Sequence, residues 1–279
     1  MGTGRYKVLK ILNNNGIMIG QLDVEKIIVE RGVGHRYRVG DSLSDLGEFK
    51  KVFAIEEKNN KDTFIELMER VDGEIVEVCE EIISFISEEF HQDLNEKIHI
   101  SLTDHIAFTI LRLKNNDTIT NPFVIEIETL YSKEMQIAEK AMKILQERTG
   151  IHIPEDEIGF IAMHIHSARN DGKVSNTVKY AFLCSTITEY IEDLLNIEVD
   201  RRSINYERFI SHIRFAIERI IKGIPIKNEI LDSIKNKLNS SYKIAENIGE
   251  ILKDELYKEV SEDEIGYIAL HVERVKNNI

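Results

Sequence analysis

Two cysteines, Cys79 and Cys184, are all that this chain of 279 residues contains, and their spacing suits neither a disulfide framework nor a CxxC zinc site. That scarcity fits a reducing cytoplasm and leaves the fold to be organised by its core. No stretch approaches the roughly 18 apolar residues of a membrane helix. The first twenty residues set Arg5, Lys7 and Lys10 among apolar residues where a signal peptide would have its hydrophobic run. A soluble cytoplasmic protein without membrane insertion is expected. What the chain has instead is a 42% hydrophobic content, enough for packed cores in two or three domains.

Net charge is −13, which at first argues against a nucleic-acid partner, because polyanions bind basic surfaces. The charge is uneven, however. Residues 1 to 55 carry nine Lys or Arg against six acids, or +3, so the remaining residues hold −16. The N-terminal segment therefore has to be read separately.

The acidic part is a repeat. Pro154 to Ile165 reads PEDEIGFIAMHI and Ser261 to Val272 reads SEDEIGYIALHV, 107 positions later, with eight of twelve residues identical. His164 and His271 occupy the same place in the two phrases. His105 in TDHIAF and His212 in ISHIRF are offset by the same 107 residues, and so are Arg112 and Arg219. Between these motifs the copies have drifted, so each of two modules presents a histidine pair that the function must explain.

Residues 1 to 55 show short β-rich runs, Tyr6 to Leu12, Gly16 to Gly20, Glu25 to Glu30 and His35 to Val39, separated by Asn13-Asn14-Asn15, Gln21-Leu22-Asp23, Arg31-Gly32-Val33-Gly34 and Gly40-Asp41. They predict a small antiparallel meander, marginal alone and stabilised by pairing with a second copy. Glu56 to Asp62 reads as a polar hinge. From Thr63 the pattern turns helical, with Ile75, Val78, Cys79, Ile82, Ile83, Ile86 and Phe90 forming one stripe. Further helices are expected at Thr103 to Leu113, Pro122 to Arg148, Pro154 to Ala168, Asn176 to Leu195, Tyr206 to Lys222, Glu229 to Tyr257 and Glu262 to Lys276. Gly150 and Gly223 look like helix stops, Pro154 like a first-turn residue, and Ser261 with Glu264 like a capping box. The expected fold is multidomain: a small antiparallel all-β domain at 1–57 and two tandem all-α modules at 63–171 and 172–279, divided near Arg169 to Lys173.

A lone histidine on an apolar helix face is usually a satisfied core residue; recurrence of both histidines in both modules raises the functional reading to equal standing. Metal binding is the weaker reading, since His164 and His166 are two residues apart and point to different sides of a helix. Neither cysteine has a catalytic context. Phosphate handling remains, with Arg112 and Arg219 two turns from His105 and His212 and placed to clamp a phosphoryl group; plain surface solvation is the alternative. In the β-rich segment the asparagine and glycine clusters read first as turn chemistry. Asparagine amides can also pair with exposed bases in RNA loops, Arg31 and Arg36 can reach phosphates, and His35 or Tyr37 can stack on an unpaired base.

KVLKILNNN, ERGVGHRYRVGD, SLTDHIAF, EDEIGFIAMH, FISHIRF and EDEIGYIALH, in that order, resemble the transcriptional antiterminators of the BglG/SacY family over essentially the whole chain. That family joins a co-antiterminator (CAT) RNA-binding domain to two phosphotransferase-system regulation domains (PRDs). The resemblance implies a homodimer that binds a leader RNA hairpin, prevents termination of a sugar-utilisation operon, and is switched by histidine phosphorylation from HPr and a sugar-specific enzyme II permease. It implies phosphorylation at His105, His164, His212 and His271, and RNA contacts among Lys10, Asn13, Asn15, Arg31, Gly32, His35 and Arg36. No cofactor, metal or enzymatic turnover is implied. Glu30 and His35 depart from the family pattern, and Glu30 would face the polyanion; Asp104 beside His105 becomes Ser211 in the second copy. A DNA-binding PRD activator and a metal-dependent phosphohydrolase are the rival readings, the first disfavoured because the β-rich N-terminus leaves no room for helix-turn-helix domains.

Overall fold

A computed structural model describes residues 6–22, 24–49, 51–170 and 173–277. Asp171 and Gly172 of the expected module boundary, Asp23 of one expected turn, and the basic Arg5 and Lys50 lie outside the described residues. Five antiparallel strands open the chain: β1 (Tyr6–Asn13), β2 (Gly16–Gln21), β3 (Val24–Val29), β4 (Ser42–Leu43) and β5 (Val52–Phe53), in the spatial order β4-β1-β2-β3-β5. The two edge strands are two residues long, which limits the unpaired backbone available for edge-to-edge association.

Period-two alternation, shifted within β1 by register irregularities between Val8 and Lys10 and between Ile11 and Asn13, decides which residues go to which face. Val8, Ile17, Ile19 and Ile28 gather with Val33, Leu43 and Phe49 in one cluster. Leu12, Met18, Ile27 and Val29 face the other way and join Ile55, Phe64, Leu67, Met68 and Val76. The second cluster extends into helices α2 (Lys58–Arg70) and α3 (Gly73–Phe90), so the sheet is buried on both faces and leans on the helices that follow it. At the same seam the His99 ring stacks on Phe53 with centroids 4.0 Å apart, and its Nδ1 lies 2.8 Å from the buried Glu80 carboxylate.

Two expectations need correction here. His35 to Val39 is not a strand: Gly32 takes a left-handed φ of 72°, and Val33–Arg36 forms one helical turn, α1, with Val33 fully buried. Val33 as a plug offsets more apolar surface than an edge strand of His, Tyr and Arg could. The polar run Glu56 to Asp62 is not a free hinge either, because α2 begins at Lys58. The Glu96 carboxylate accepts from the Glu56 and Glu57 amides (2.6 and 3.2 Å) and the Asn60 side chain (2.6 Å), capping that helix from a distant loop.

The helices continue as α4 (Ile98–Lys114), α5 (Val124–Leu130), α6 (Ser132–Thr149), α7 (Glu155–Arg169), α8 (Val174–Leu195), α9 (Ile204–Lys222), α10 (Leu231–Lys237), α11 (Asn239–Leu256) and α12 (Glu262–Lys276). The stretches expected as single helices at Pro122 to Arg148 and Glu229 to Tyr257 each break once, at Tyr131 and Leu238, which are equivalent positions of the repeat. Apolar residues keep helical spacing on both sides of each break, so the pattern runs through it, while the bend lets Ile127 and Ile234 bury separately from the stripes of α6 and α11. Gly150 and Gly223 take left-handed φ values of 71° and 64° as helix stops, and Ser261 Oγ accepts from the Glu264 amide at 3.3 Å.

Two compact units emerge, Met1–Asn121 with Lys133–Val174, and Pro122–Ser132 with Ser175–Ile279. Helix α5 of the first repeat thus belongs to the second unit, where its Glu126 is fully buried. The carboxylate accepts from Tyr206 Oη at 2.7 Å and Arg201 Nη1 at 2.8 Å, and Arg201 also donates to Glu192 at 3.0 Å. Removing the cation strands a buried charge. Arg201→Ala is expected to lower the stability of this unit by about 3 kcal/mol in urea unfolding, and Tyr206→Phe by about 1 kcal/mol. An unchanged urea midpoint in Arg201→Ala would refute the contribution of this ion pair.

Candidate functional site

Two constellations were expected, one in the sheet loops and one on the helices. In the first, Asn14 and Asn15 close the β1–β2 hairpin. Asn13 Oδ1 accepts from the Asn15 amide at 2.8 Å while its Nδ2 donates to the Met68 carbonyl at 3.0 Å. Asn15 is buried, and its Oδ1 accepts from the Gly32 amide at 2.8 Å. The Glu30 and Gly34 amides donate to the carbonyls of Asn15 and Asn14, both at 2.9 Å. A Cβ on Gly34 would stand 2.0 Å from the Asn13 carbonyl oxygen, so only glycine permits this approach. The asparagine loop and the glycine turn are therefore one stitched surface, with Asn13 and Asn15 spent on holding it.

Lys10, Arg31, His35 and Arg36 remain exposed around that surface. Among the described residues Arg31 has only a 3.9 Å approach to Glu74, with its side chain 80% exposed. Lys10 Nζ reaches Glu69 at 3.3 Å. Glu30, which the sequence presents as a misfit charge, is 2.9 Å from Arg36 Nη2 and orients that guanidinium. Asn14, the middle residue of the asparagine cluster, is exposed at the hairpin tip between two asparagines whose side chains are tied down.

The helical constellation forms twice. In the first unit α4 and α7 bring His105 and His164 together, with ring centroids 5.0 Å apart. His105 Nε2 lies 3.3 Å from Glu157 Oε2, and Thr109 Oγ1 donates to the same oxygen at 3.0 Å. Arg112 Nη2 donates to Glu157 Oε1. Burial raises the Glu157 carboxyl, but hydrogen bonds from His105, Arg112 and Thr109 outweigh it and hold the group below the usual carboxylate range. His164 Nδ1 is buried without a hydrogen-bond partner among the described residues. Burial first, and His105 second, push this imidazole down to about 3.

In the second unit α9 and α12 stack His212 on His271 at 3.8 Å between centroids and 20° between planes. His271 is 8% exposed, and burial, then His212 and Arg274, lower it to about 4. His212 is lowered by burial, Arg274 and Arg219. Arg219 holds Glu264 in a two-pronged pair, Nε to Oε1 and Nη2 to Oε2. A cavity of about 270 Å³ opens here, lined by His212, Arg219, Glu264, Tyr267 and His271 among others.

The four histidines named from the sequence thus come together as two pairs, and the two arginines lie beside them engaged with glutamates. Those glutamates are the residues that sequence reasoning missed. Glu157 and Glu264 stood inside the repeated EDEIG phrase, where Glu264 already had an explanation in the capping box with Ser261. His166 turns away from His164 and pairs with Glu134 at 3.1 Å. Among the described residues no three His, Cys, Asp or Glu side chains gather as metal ligands do, and no helix is long and apolar enough to cross a membrane.

Comparison with known proteins bears on both constellations. The sequence matches the PRD domain family over residues 80–168 and 185–275 and the CAT RNA binding domain family over residues 6–62. Protein GlcT of Staphylococcus haemolyticus is 34% identical over 278 residues, covering 99% of this chain and 98% of that one. Transcription antiterminator LicT of Bacillus subtilis is 31% identical over 273 residues, covering 96% of this chain and 98% of that one. The crystal structure of GlcT CAT-PRDI superposes with a TM-score of 0.56 at 38% identity, covering 60% of this chain and 99% of the other.

The depressed imidazoles set a pH dependence. A histidine lowered in the folded state takes up its proton more readily when unfolded, so its stabilising contribution is complete above about pH 6.5 and drains away as pH falls toward the folded value. For His271 that window runs from about 6.5 to about 4. Urea unfolding across it is expected to show wild type losing stability more steeply than His271→Asn, the difference vanishing above pH 7. Parallel curves would place a protonated His271 in the folded chain.

Proposed function

The chain belongs to the family of transcription antiterminators that couple a CAT RNA-binding domain to PRD domains, and from that premise we propose that it holds a leader-RNA hairpin against terminator formation and is switched by phosphoryl transfer onto His105, His164, His212 and His271. The donors are HPr and a sugar-specific enzyme II permease of the phosphotransferase system. The protein acts in the cytoplasm as a homodimer, without turnover of its own. Its three domains are 1–57, 63–171 and 172–279.

The observation that carries this reading is the paired histidine repeated on equivalent helices of both modules, with Arg and Glu at equivalent positions beside it. A histidine lowered by burial is neutral at cellular pH and keeps a lone pair for attack on a phosphohistidine donor. The product adds nearly two negative charges and several acceptors to a site that held a near-neutral ring. Between rings 3.8 Å apart, that charge shifts the balance between two packings of the helices. Each module also exposes an aromatic one turn beyond its first histidine, Phe108 and Phe215, 58% and 44% exposed, apolar area that a second copy would cover.

Transmission to the RNA surface runs through α2. Asp104, next to His105, pairs with Arg70 at the end of α2 at 2.7 Å, and Phe64, Leu67 and Met68 of the same helix pack under the sheet. An exposed pair of this kind adds little stability, but it registers a shift of α4 on α2. The contact surface for RNA is the stitched pair of turns, with Lys10, Arg31, His35 and Arg36 exposed and Asn13, Asn15 and Gly32 fixing its shape. The hairpin is bound there through backbone phosphates and unpaired bases.

Full-length protein carrying Arg31→Ala should bind a bulged RNA hairpin about 1 kcal/mol more weakly, with a log-log salt slope smaller by about one, as for one lost phosphate contact. Equal affinity of the wild type for duplex DNA of the same length would defeat the RNA reading. The switch is tested by incubation with phosphoenolpyruvate and the general phosphotransferase proteins, HPr included, followed by mass spectrometry under neutral conditions. Acid-labile, base-stable phosphate on at least one of the four histidines is expected. No label with a matched permease present, together with unchanged assembly and RNA binding in the four single His→Asp variants, would return these histidines to the role of core residues.

A further inference from the structure

We propose that Thr109 and Glu157 gate His105, making it the slower phosphoryl acceptor while His212 stands ready; this rests on the reading above that these histidines accept phosphoryl groups. The two sites differ at several positions, Phe160 against Tyr267 and Ser167 against Arg274 among them, and the inference comes from the one that places a hydroxyl on the glutamate. Position 109 is threonine, and its counterpart 107 residues on is Ala216.

In the first unit the Thr109 hydroxyl draws one oxygen of Glu157 toward itself at 3.0 Å, and that oxygen also sits 3.3 Å from His105 Nε2. Glu157 is left with one oxygen for Arg112, whose Nε and Nη1 are buried without hydrogen-bond partners among the described residues. In the second unit Ala216 has no hydroxyl to offer. Glu264 gives both oxygens to Arg219, whose Nε is satisfied, and no ion pair between His212 and Glu264 forms among the described residues. A buried guanidinium normally keeps its donors paired. The idle Arg112 Nε therefore marks the displacement of Glu157 by Thr109.

Phosphoryl transfer forms a bond from phosphorus to an imidazole nitrogen and breaks the bond from phosphorus to the donor nitrogen, which keeps the electron pair. The accepting nitrogen must present a lone pair. His212, neutral and free of a carboxylate, can do so with its one proton on the other ring nitrogen. Beside the Glu157 carboxylate, 3.3 Å away, the His105 proton is favoured on Nε2, so attack through that nitrogen first needs the proton to pass to the carboxylate or to Nδ1. The carboxylate charge 3.3 Å away also repels the incoming phosphoryl oxygens. Thr109 and Glu157 act through His105 as positioning residues. Losing a hydrogen bond to a charged group corresponds to a rate difference of about tenfold.

Potassium phosphoramidate, a small donor that needs no protein partner, tests this on the full-length chain, with label on each histidine followed in time by mass spectrometry at neutral pH. Wild type is expected to label His212 about tenfold faster than His105. Thr109→Val, which keeps the shape and removes the hydroxyl, should bring His105 up toward His212, and Thr109→Ser should restore the slow rate. Ala216→Ser should slow His212. If Thr109→Val leaves the ratio unchanged, or Thr109→Ser behaves as Thr109→Val does, the gate is refuted. Because no phosphotransferase protein takes part, a confirmed gate alongside absent labelling by HPr and permease would overturn the regulatory reading alone, and the reverse pattern the gate alone.

Discussion

A carboxylate buried against a guanidinium fixes the geometry of each histidine site. Glu157 with Arg112 ties α7 to α4, and Glu264 with Arg219 ties α12 to α9. A pair of this kind is no better for stability than well-packed apolar side chains, since each carboxylate, and Arg112 with it, loses its water. Its contribution is position. Histidine and arginine stand seven residues apart on one helix, and glutamate and histidine seven apart on the other, so that each pair lies along one face. Once the charges meet, the two imidazoles have to face each other. Burial then makes the inner ring of each pair neutral, which suits it to nucleophilic rather than electrostatic work.

The proposed RNA surface depends on a different constraint, backbone amides that cannot be buried unpaired. The tip of the first hairpin and the turn before α1 satisfy each other through the Asn15 side chain and the carbonyls of Asn14 and Asn15. That exchange leaves the cationic side chains of the same turns pointing outward. The sheet below is buried on both faces, and one of its clusters is completed by α2 and α3. A small sheet that borrows core from the helices following it is sensitive to their placement, which gives histidine chemistry on α4 a physical route to the turns.

Charge separation along the chain serves the same end. The N-terminal 55 residues are positive and the rest is strongly negative, so long-range attraction for a polyanion is confined to one end and the helical modules contribute repulsion. On the proposed switch, added phosphoryl groups would deepen the negative charge of the helical modules rather than of the basic N-terminal segment.

Much of this was legible in the sequence, because repetition and periodicity are local. The 107-residue offset exposed the histidine pairs and the arginines beside them, apolar spacing located the helices within a few residues, and alternation located the first three strands. Three things were not legible. Tyr131 and Leu238 break helices whose apolar pattern continues unbroken, since a bend between two helices leaves the spacing on either side intact. Glu30 read as a misfit because its partner, Arg36, is brought to it only by the helical turn that Gly32 and the buried Val33 impose. Glu264 read as a capping-box acid and Glu157 drew no reading of its own, and the 45 residues separating each from its arginine conceal the pairing. The sequence by itself determined which residues repeat and which faces are apolar, because those properties depend on neighbours along the chain. Only the tertiary structure decided which charges are neutralised and which nitrogens stay free, because those depend on atoms that distant segments bring within hydrogen-bonding distance.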